Sequence, residues 1–205
     1  MGINKINMIK KLFDITFSLI GLIFTSPFLL IFALKVKFNS KGPVFFRGKR
    51  VGRNGKVFRI FKFRTMVENA ENLGGPSTAA DDPRLTKIGK FLRKHNLDEL
   101  PQLINVLKGE MSFVGPRPEV PSEVETYDKE TRDIILSVKP GITDLATLEN
   151  IHEEEILKGS KDSHKTYREV IKPKKLDLAC KYVKERSFWL DMKIIVRTIK
   201  VAFDF

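Results

Sequence analysis

Cysteine is nearly absent from this chain: Cys180 stands alone among 205 residues. A disulfide framework is therefore excluded, and a reducing compartment is the default. Histidine is almost as scarce, and His95, His152 and His164 lie at spacings that suit no zinc site. There is no internal repeat. No small-residue cleavage site comes after the first apolar stretch, which therefore does not read as a cleavable signal. Acidic residues are outnumbered, with 25 Asp and Glu against 37 Lys and Arg, a formal net charge of +12. That excess points to an anionic partner: nucleic acid, anionic lipid or a phosphorylated substrate. The length fits about one domain with a real core.

Charge of either sign is missing from Ile15 to Leu34, a run of about 20 residues, the length that spans hydrocarbon. Lys5, Lys10 and Lys11 precede it, and Lys35, Lys37, Lys41, Arg47, Lys49 and Arg50 come after it. Both flanks thus carry the mark of the cytoplasmic side. Ser26-Pro27 interrupts the middle, where proline removes one backbone hydrogen bond and predicts a kink. The Ser26 hydroxyl is placed to help satisfy the freed carbonyl. A re-entrant hairpin helix with both ends cytoplasmic fits these features best. A kinked single span and a buried core helix are the other readings.

Beyond the anchor, Val44-Phe45-Phe46 and Lys56 to Met66 flank Gly52-Arg53-Asn54-Gly55, a hairpin signal. Phe58, Ile60, Phe61 and Phe63 interleave with Arg59, Lys62 and Arg64. That pattern predicts a half-buried strand with a basic face, although interleaved aromatics and cations also suit stacking on bases. Glu68 to Asp82 reads as a helix end and then a mobile loop of the kind that serves as a lid. Leu85, Ile88, Phe91 and Leu92 recur at helical spacing, and a second helix carries Leu100, Leu103, Ile104 and Leu107 inward before ending near Gly109. Val120 to Val138 reads as a mixed-charge helix, and Glu153-Glu154-Glu155 as a solvated face. In the last stretch Phe188, Met192, Ile195, Ile199 and Ala202 share one helical face, suited either to a membrane surface or to packing.

Two adjacent carboxylates, Asp98 and Glu99, sit among positive charge. Adjacent carboxylates repel, so a protein that keeps both ionised supplies cations or a metal. Lys62, Arg64, Arg93 and Arg117 are the candidates, an arrangement suited to phosphoryl chemistry with a divalent ion. The bland reading places both at a helix start near Asn96–Asp98, where anions are favoured and Pro101 is tolerated. Pro116 and Pro118 stiffen the backbone on both sides of Arg117, as bidentate phosphate recognition requires.

Four ordered motifs then tip the balance. Ser26-Pro27 in the hydrophobic hairpin, Lys62-Phe63-Arg64-Thr65-Met66, Leu97-Asp98-Glu99-Leu100-Pro101-Gln102 and Gly115-Pro116-Arg117-Pro118 occur in this order. The chain resembles the small monotopic phosphoglycosyl transferases, bacterial sugar transferases that begin glycan assembly on undecaprenyl phosphate. The likeness extends through Pro140-Gly141-Ile142-Thr143 to Ser187-Phe188-Trp189-Leu190-Asp191. It implies Asp98 as nucleophile on the β-phosphate of a UDP-sugar, Glu99 as its dyad partner, and Mg²⁺ held with help from Asp98. UMP would leave, and undecaprenyl phosphate would then take the sugar phosphate from Asp98. Arg93 and Arg117 are the first candidates for binding phosphate, Lys62 and Arg64 the next, and Ser26 and Pro27 would shape the re-entrant bend.

The implied fold is α+β and mainly helical: a re-entrant membrane anchor over 1–40, then a small cytosolic helical domain with a β-hairpin over 41–205. Interfacial amphipathic helices belong to the latter. The implied location is the bacterial inner membrane, with the catalytic domain on its cytoplasmic face and no nucleic-acid partner. The chain departs from the family pattern after Thr143, where Asp144-Leu145-Ala146-Thr147 stands in place of the usual Gly, Ala-Gln and Asn-Gly run. Two further readings are a membrane-tethered module for nucleic acid or anionic lipid, and a scaffold whose dyad has lost its task.

Overall fold

In the computed structural model, residues 2–70, 73, 78–79, 81–148, 156–160 and 162–203 are described. Glu153-Glu154-Glu155 and parts of the polar 68–82 loop lie outside these residues. The fold is mainly helical, with small two-stranded sheets.

Helix α1 runs from Gly2 to Asn39 and contains Pro27. It is one continuous helix, not two joined by a turn. The local chemistry explains the continuity. Pro27 cannot donate to the carbonyl of Ile23, and the Ser26 hydroxyl donates to that same oxygen at 2.8 Å instead. Thr25 adds a bond from its hydroxyl to the Gly21 carbonyl at 2.7 Å.

Both ends of α1 are fastened to the rest of the protein. Near its start, Asp14 accepts from the Ser112 hydroxyl and the Phe113 amide, each at 3.1 Å. Lys10 donates to the Val114 carbonyl at 3.0 Å and to Asp191 at 2.5 Å. Near its end, Val36 packs with Phe63 and Leu92 in a buried cluster. Around Pro27 the apolar side chains face outward: Phe24 is 75% exposed and Leu30 63%. Among the described residues, α1 alone is long and apolar enough to cross a membrane.

Strand β1 (Phe45–Phe46) pairs with β4 (Lys62–Phe63), and β2 (Lys49–Val51) with β3 (Val57–Arg59), both antiparallel. The two pairs share one register, so they form a single interrupted hairpin. Its tip carries Asn54 at φ 58° and Gly55 at φ 75°, the positive values a tight reversal needs. Where the ladder breaks, Asn105 takes over: its side-chain oxygen accepts from the Phe61 amide at 2.8 Å and its nitrogen donates to the Arg59 carbonyl at 3.0 Å. The predicted half-buried strand is confirmed in its aromatic face. Phe58, Ile60 and Phe63 are buried and therefore closed to base stacking, whereas Phe61 is only partly buried, with the Arg47 guanidinium 3.3 Å from its ring centre.

Helix α2 spans Lys87–Lys94, capped by the Thr86 hydroxyl, which accepts from the Gly89 amide at 3.0 Å. A Cβ on Gly89 would collide with the Thr65 carbonyl, so glycine is what lets α2 lie against the chain just after β4. Leu92 is fully buried, but Phe91 is 46% exposed, contrary to the predicted stripe.

The second predicted helix begins differently from expectation. Leu97–Gln102 is a 3-10 helix, and α3 continues from it at Leu103–Leu107. Asn96 is left-handed (φ 53°) and makes no side-chain cap. The tighter winding shifts the phase of α3: Leu103, Asn105 and Val106 turn inward, while Leu107 is partly exposed.

Strand β5 (Ser112–Val114) runs parallel to β6 (Gly141–Thr143), and the Gly141 amide donates to the Pro116 carbonyl at 3.0 Å. The mixed-charge stretch is two helices, α4 (Pro121–Val124) and α5 (Lys129–Ile135), because Asp128 starts a new one by accepting from the Thr131 amide at 2.9 Å. Short helices α6 (Leu145–Leu148) and α7 (Ser163–Thr166) and a π-helical turn at Tyr167–Ile171 lead to α8 (Lys172–Glu185). Buried Glu123 of α4 ties this region down, receiving Arg168 at 2.7 Å and Lys172 at 2.5 Å. Burial alone would raise its carboxyl, but these two cations hold it below the ordinary carboxylate range.

Helix α9 spans Phe188–Phe203. Its inward face is centred on Asp191 and Ile194, whereas Ile199, predicted to share a face with Ile195, is 51% exposed. The rotation has a polar cause. Asp191 accepts from Lys10 and from the Tyr182 hydroxyl at 2.7 Å, and that pairing turns the carboxylate into the core. Trp189 and Val196 are left outward.

Candidate active site

Three separate pieces of chain meet at the dyad. Strand alternation directs Phe63 into the core and its neighbour Lys62 to the other side. The Lys62 ammonium donates to Glu99 Oε1 at 2.6 Å. The stiff Pro116-Arg117-Pro118 segment leaves β5 and brings the Arg117 guanidinium to the same oxygen, also at 2.6 Å. The 3-10 helix presents Asp98 and Glu99 together, with Asn96 reversing the chain out of α2.

One oxygen of Glu99 receives two cations, whereas among the described residues Asp98 receives no hydrogen bond. Burial on its own would lift the Glu99 carboxyl, but Arg117 and Lys62 outweigh it and hold Glu99 well below the ordinary range. Asp98 is shifted the opposite way. Its burial, at 5% exposure, raises the carboxyl, helped by the adjacent Glu99 charge, while Lys62, Arg93 and Arg117 only moderate the rise. Among the described residues no hydrogen bond reaches the Asp98 oxygens. A buried carboxylate with free lone pairs in a positive field has the chemistry to act as a nucleophile or to bind a metal.

Of the sequence-predicted cations, the structure therefore brings Lys62 and Arg117 onto Glu99, and Arg93 within electrostatic reach of Asp98. Arg64 goes elsewhere. Its buried guanidinium donates to the carbonyls of Val36 at 3.3 Å, Ser40 at 2.8 Å and Lys41, closing the end of α1. Arg64 lies just past β4, where the end of α1 draws its side chain aside. Arg64→Met is accordingly expected to cost about 2 kcal/mol of stability or more, from charged hydrogen bonds lost. Thermal unfolding beside the KM for the sugar donor checks this; a raised KM with unchanged stability would return Arg64 to the phosphate.

Sequence reasoning missed Asn105, Asp14, Asp191 and Glu123, all buried and all bonded to residues remote in the chain. The only sequence signal was the presence of polar residues within otherwise apolar periods. Among the described residues no cluster of three or more His, Cys, Asp or Glu could by itself hold a metal. The donor set fits a more open kind of site. Mg²⁺ is commonly held by one or two carboxylates together with substrate phosphates, and Asp98 offers such oxygens.

The family profile for bacterial sugar transferase matches residues 5–204. UDP-glucose:undecaprenyl-phosphate glucose-1-phosphate transferase of Klebsiella pneumoniae is 43% identical across 98% of this chain and 42% of its own length. Galactosyl transferase CpsE of Streptococcus agalactiae is 40% identical, covering 94% of this chain and 42% of its own. UDP-N-acetylgalactosamine-undecaprenyl-phosphate N-acetylgalactosaminephosphotransferase of Aeromonas hydrophila is 38% identical over 94% of this chain and 43% of its own. The chain thus spans about two-fifths of the length of these relatives. The match takes in α1, the Asp98-Glu99 turn and the Arg117 segment, and on that extent the chain belongs to the bacterial sugar transferase family.

Proposed function

We propose that this chain transfers a sugar-1-phosphate from a UDP-sugar to undecaprenyl phosphate through an ester of Asp98. The observation that carries the reading is Asp98 itself, buried and without a hydrogen bond among the described residues, beside a Glu99 whose Oε1 already holds Lys62 and Arg117. An Asp98 oxygen attacks the β-phosphorus of the donor, the bond from that phosphorus to the bridging oxygen breaks, and UMP leaves with the electron pair. A phosphate oxygen of undecaprenyl phosphate next attacks the same phosphorus. The bond to Asp98 breaks, the carboxylate returns, and the polyprenyl diphosphate-sugar departs. Splitting one displacement into two in this way relieves a single difficult step.

Glu99 holds Lys62 and Arg117 in place, and these cations with Arg93 stabilise charge on the transferring phosphoryl group. Mg²⁺, held by Asp98 and donor phosphate oxygens, would neutralise charge on the diphosphate. The relatives' names divide between glucose, galactose and N-acetylgalactosamine, so the donor panel must include all three as UDP-sugars. Release of UMP from at least one of them, with Mg²⁺ and undecaprenyl phosphate present, is the expected result. No release with any donor would sink the reading.

We place both flanks of α1 on the cytoplasmic side, with the catalytic residues at the lipid boundary. Support comes from the anchoring of both ends of α1 to one body, at Asp14 and at Val36, while Phe24 and Leu30 between them face outward. Single cysteines introduced at Lys11 and Phe38 should then both react with a membrane-impermeant thiol reagent only from the cytoplasmic side. Labelling of the two positions from opposite sides would overturn this topology.

A further inference from the structure

We infer that Asn105 is a positioning residue for Lys62: it fixes the strand that carries this cation to the helical piece that carries Glu99. The inference deepens the function proposed above and rests on the role given there to Lys62. Asn105 is fully buried. Its Oδ1 accepts from the Phe61 amide at 2.8 Å, and its Nδ2 donates to the Arg59 carbonyl at 3.0 Å and to Glu110 Oε2 at 2.7 Å. Reversed, the carboxamide would set its nitrogen against the Phe61 N–H, so only one orientation serves. Ile60, between the two strand partners, sends its amide the other way, to the Gly48 carbonyl at 3.0 Å. Asn105 thus bonds the open edge of the strand as a neighbouring strand would.

The two ends of this brace lie where the site needs them. Phe61 immediately precedes Lys62, whose ammonium reaches Glu99 Oε1 at 2.6 Å. Glu99 and Asn105 belong to one continuous piece, the 3-10 helix Leu97–Gln102 followed by α3. The Lys62–Glu99 and Phe61–Asn105 bonds therefore cross the same gap from adjacent strand residues. Val106, beside Asn105, packs with buried Phe58 and Ile60 in that seam, which opposes sliding. Asn105 is itself held, because its main-chain carbonyl accepts from the Glu110 and Met111 amides at 3.0 and 3.3 Å. Lysine is a compact charge on a flexible four-carbon stem, and pinning the main chain next to it leaves only that stem to be ordered. Stabilising charge on a transferring phosphoryl group depends on such preorganisation. Arg117 reaches the same Glu99 oxygen from a separate segment, so Asn105 acts on Lys62.

The test compares the full chain in lipid nanodiscs with its Asn105→Ala and Asn105→Asp variants. The first removes the carboxamide; the second keeps an acceptor for the Phe61 amide but turns negative charge toward the Arg59 carbonyl and Glu110. Lysines are labelled briefly with acetic anhydride and quantified by mass spectrometry. Buried Lys172, which donates to Glu123 at 2.5 Å, is the control. Lys62 should label about tenfold faster in both variants, the factor expected from loss of a hydrogen bond between charged groups. Lys172 should keep its wild-type rate. With the UDP-sugar that gives UMP release, Asn105→Ala should lower kcat about 100-fold, the scale of a misplaced catalytic group. Added to Lys62→Met, it should cost nothing further, since no cation remains to be placed. Lys62 labelling at the wild-type rate overturns the inference, and so does a joint rise in Lys62 and Lys172, which reports general loosening. Equal losses of kcat with and without Lys62 also overturn it, as does Lys62→Met turning over like wild type. Should Asn105→Ala fail to fold, Asn105→Asp decides alone, and failure of both makes Asn105 structural and overturns the inference as well. Labelling needs no turnover, so the two readings fail separately: wild type that releases no UMP defeats the proposed function, whereas wild-type turnover with unchanged Lys62 labelling defeats only the role of Asn105.

Discussion

Asp98→Asn is expected to abolish turnover, lowering UMP release by at least roughly 10⁴-fold, as removal of a covalent nucleophile does elsewhere. The same variant should be more stable than wild type when no metal is present. Burial raises the Asp98 carboxyl, so its ionised form costs stability at every pH above that raised value. As pH falls through it the folded carboxyl begins to protonate, and the cost is gone only below the ordinary carboxylate range of the unfolded chain. The gain in melting temperature from Asp98→Asn should therefore grow as pH rises through the raised value and fade in acid. Loss of activity with loss of stability would instead make Asp98 a structural residue. Residual turnover within tenfold of wild type would rule out Asp98 as the nucleophile.

Glu99→Gln is the second large effect. One oxygen of Glu99 receives both Lys62 and Arg117 at 2.6 Å, and the neutral amide would weaken two charge-assisted bonds at once. A fall in kcat/KM of about 100-fold is expected, in line with the loss of preorganised charge stabilisation. If Glu99 acts by holding these cations, its effect is not additive with theirs. Arg117→Ala should cost clearly less in a Glu99→Gln background than in wild type, a coupling that a double-mutant cycle reads directly. Strict additivity of the two substitutions would show that Glu99 does not work through Arg117.

Much of this site was legible in the sequence, because its signals are local. The Asp98-Glu99 pair, the prolines that flank Arg117 and the Asn-Gly reversal at the hairpin tip are each a few neighbouring residues whose chemistry constrains the backbone directly. Ser26 and Pro27 were legible for the same reason, since the hydroxyl and the carbonyl it satisfies lie within one helical turn. Errors arose where periodicity was extrapolated through a change of winding. The 3-10 start of the dyad segment moved Leu107 outward, and Asp128 divided a stretch that reads as one helix.

The sequence by itself determined the apolar character of α1, the identity of the two carboxylates and the surplus of cations around them. Only the tertiary structure decided which cation serves which anion. Lys62 and Arg64 are two residues apart in the chain, yet one reaches Glu99 and the other closes the end of α1. Asp191, an ordinary polar position in a helical pattern, turned α9 because Lys10 lies beside it in space and far from it in the chain. Local propensity depends on residues a turn apart, whereas ion pairing depends on which groups share a desolvated space, and folding alone brings such groups together.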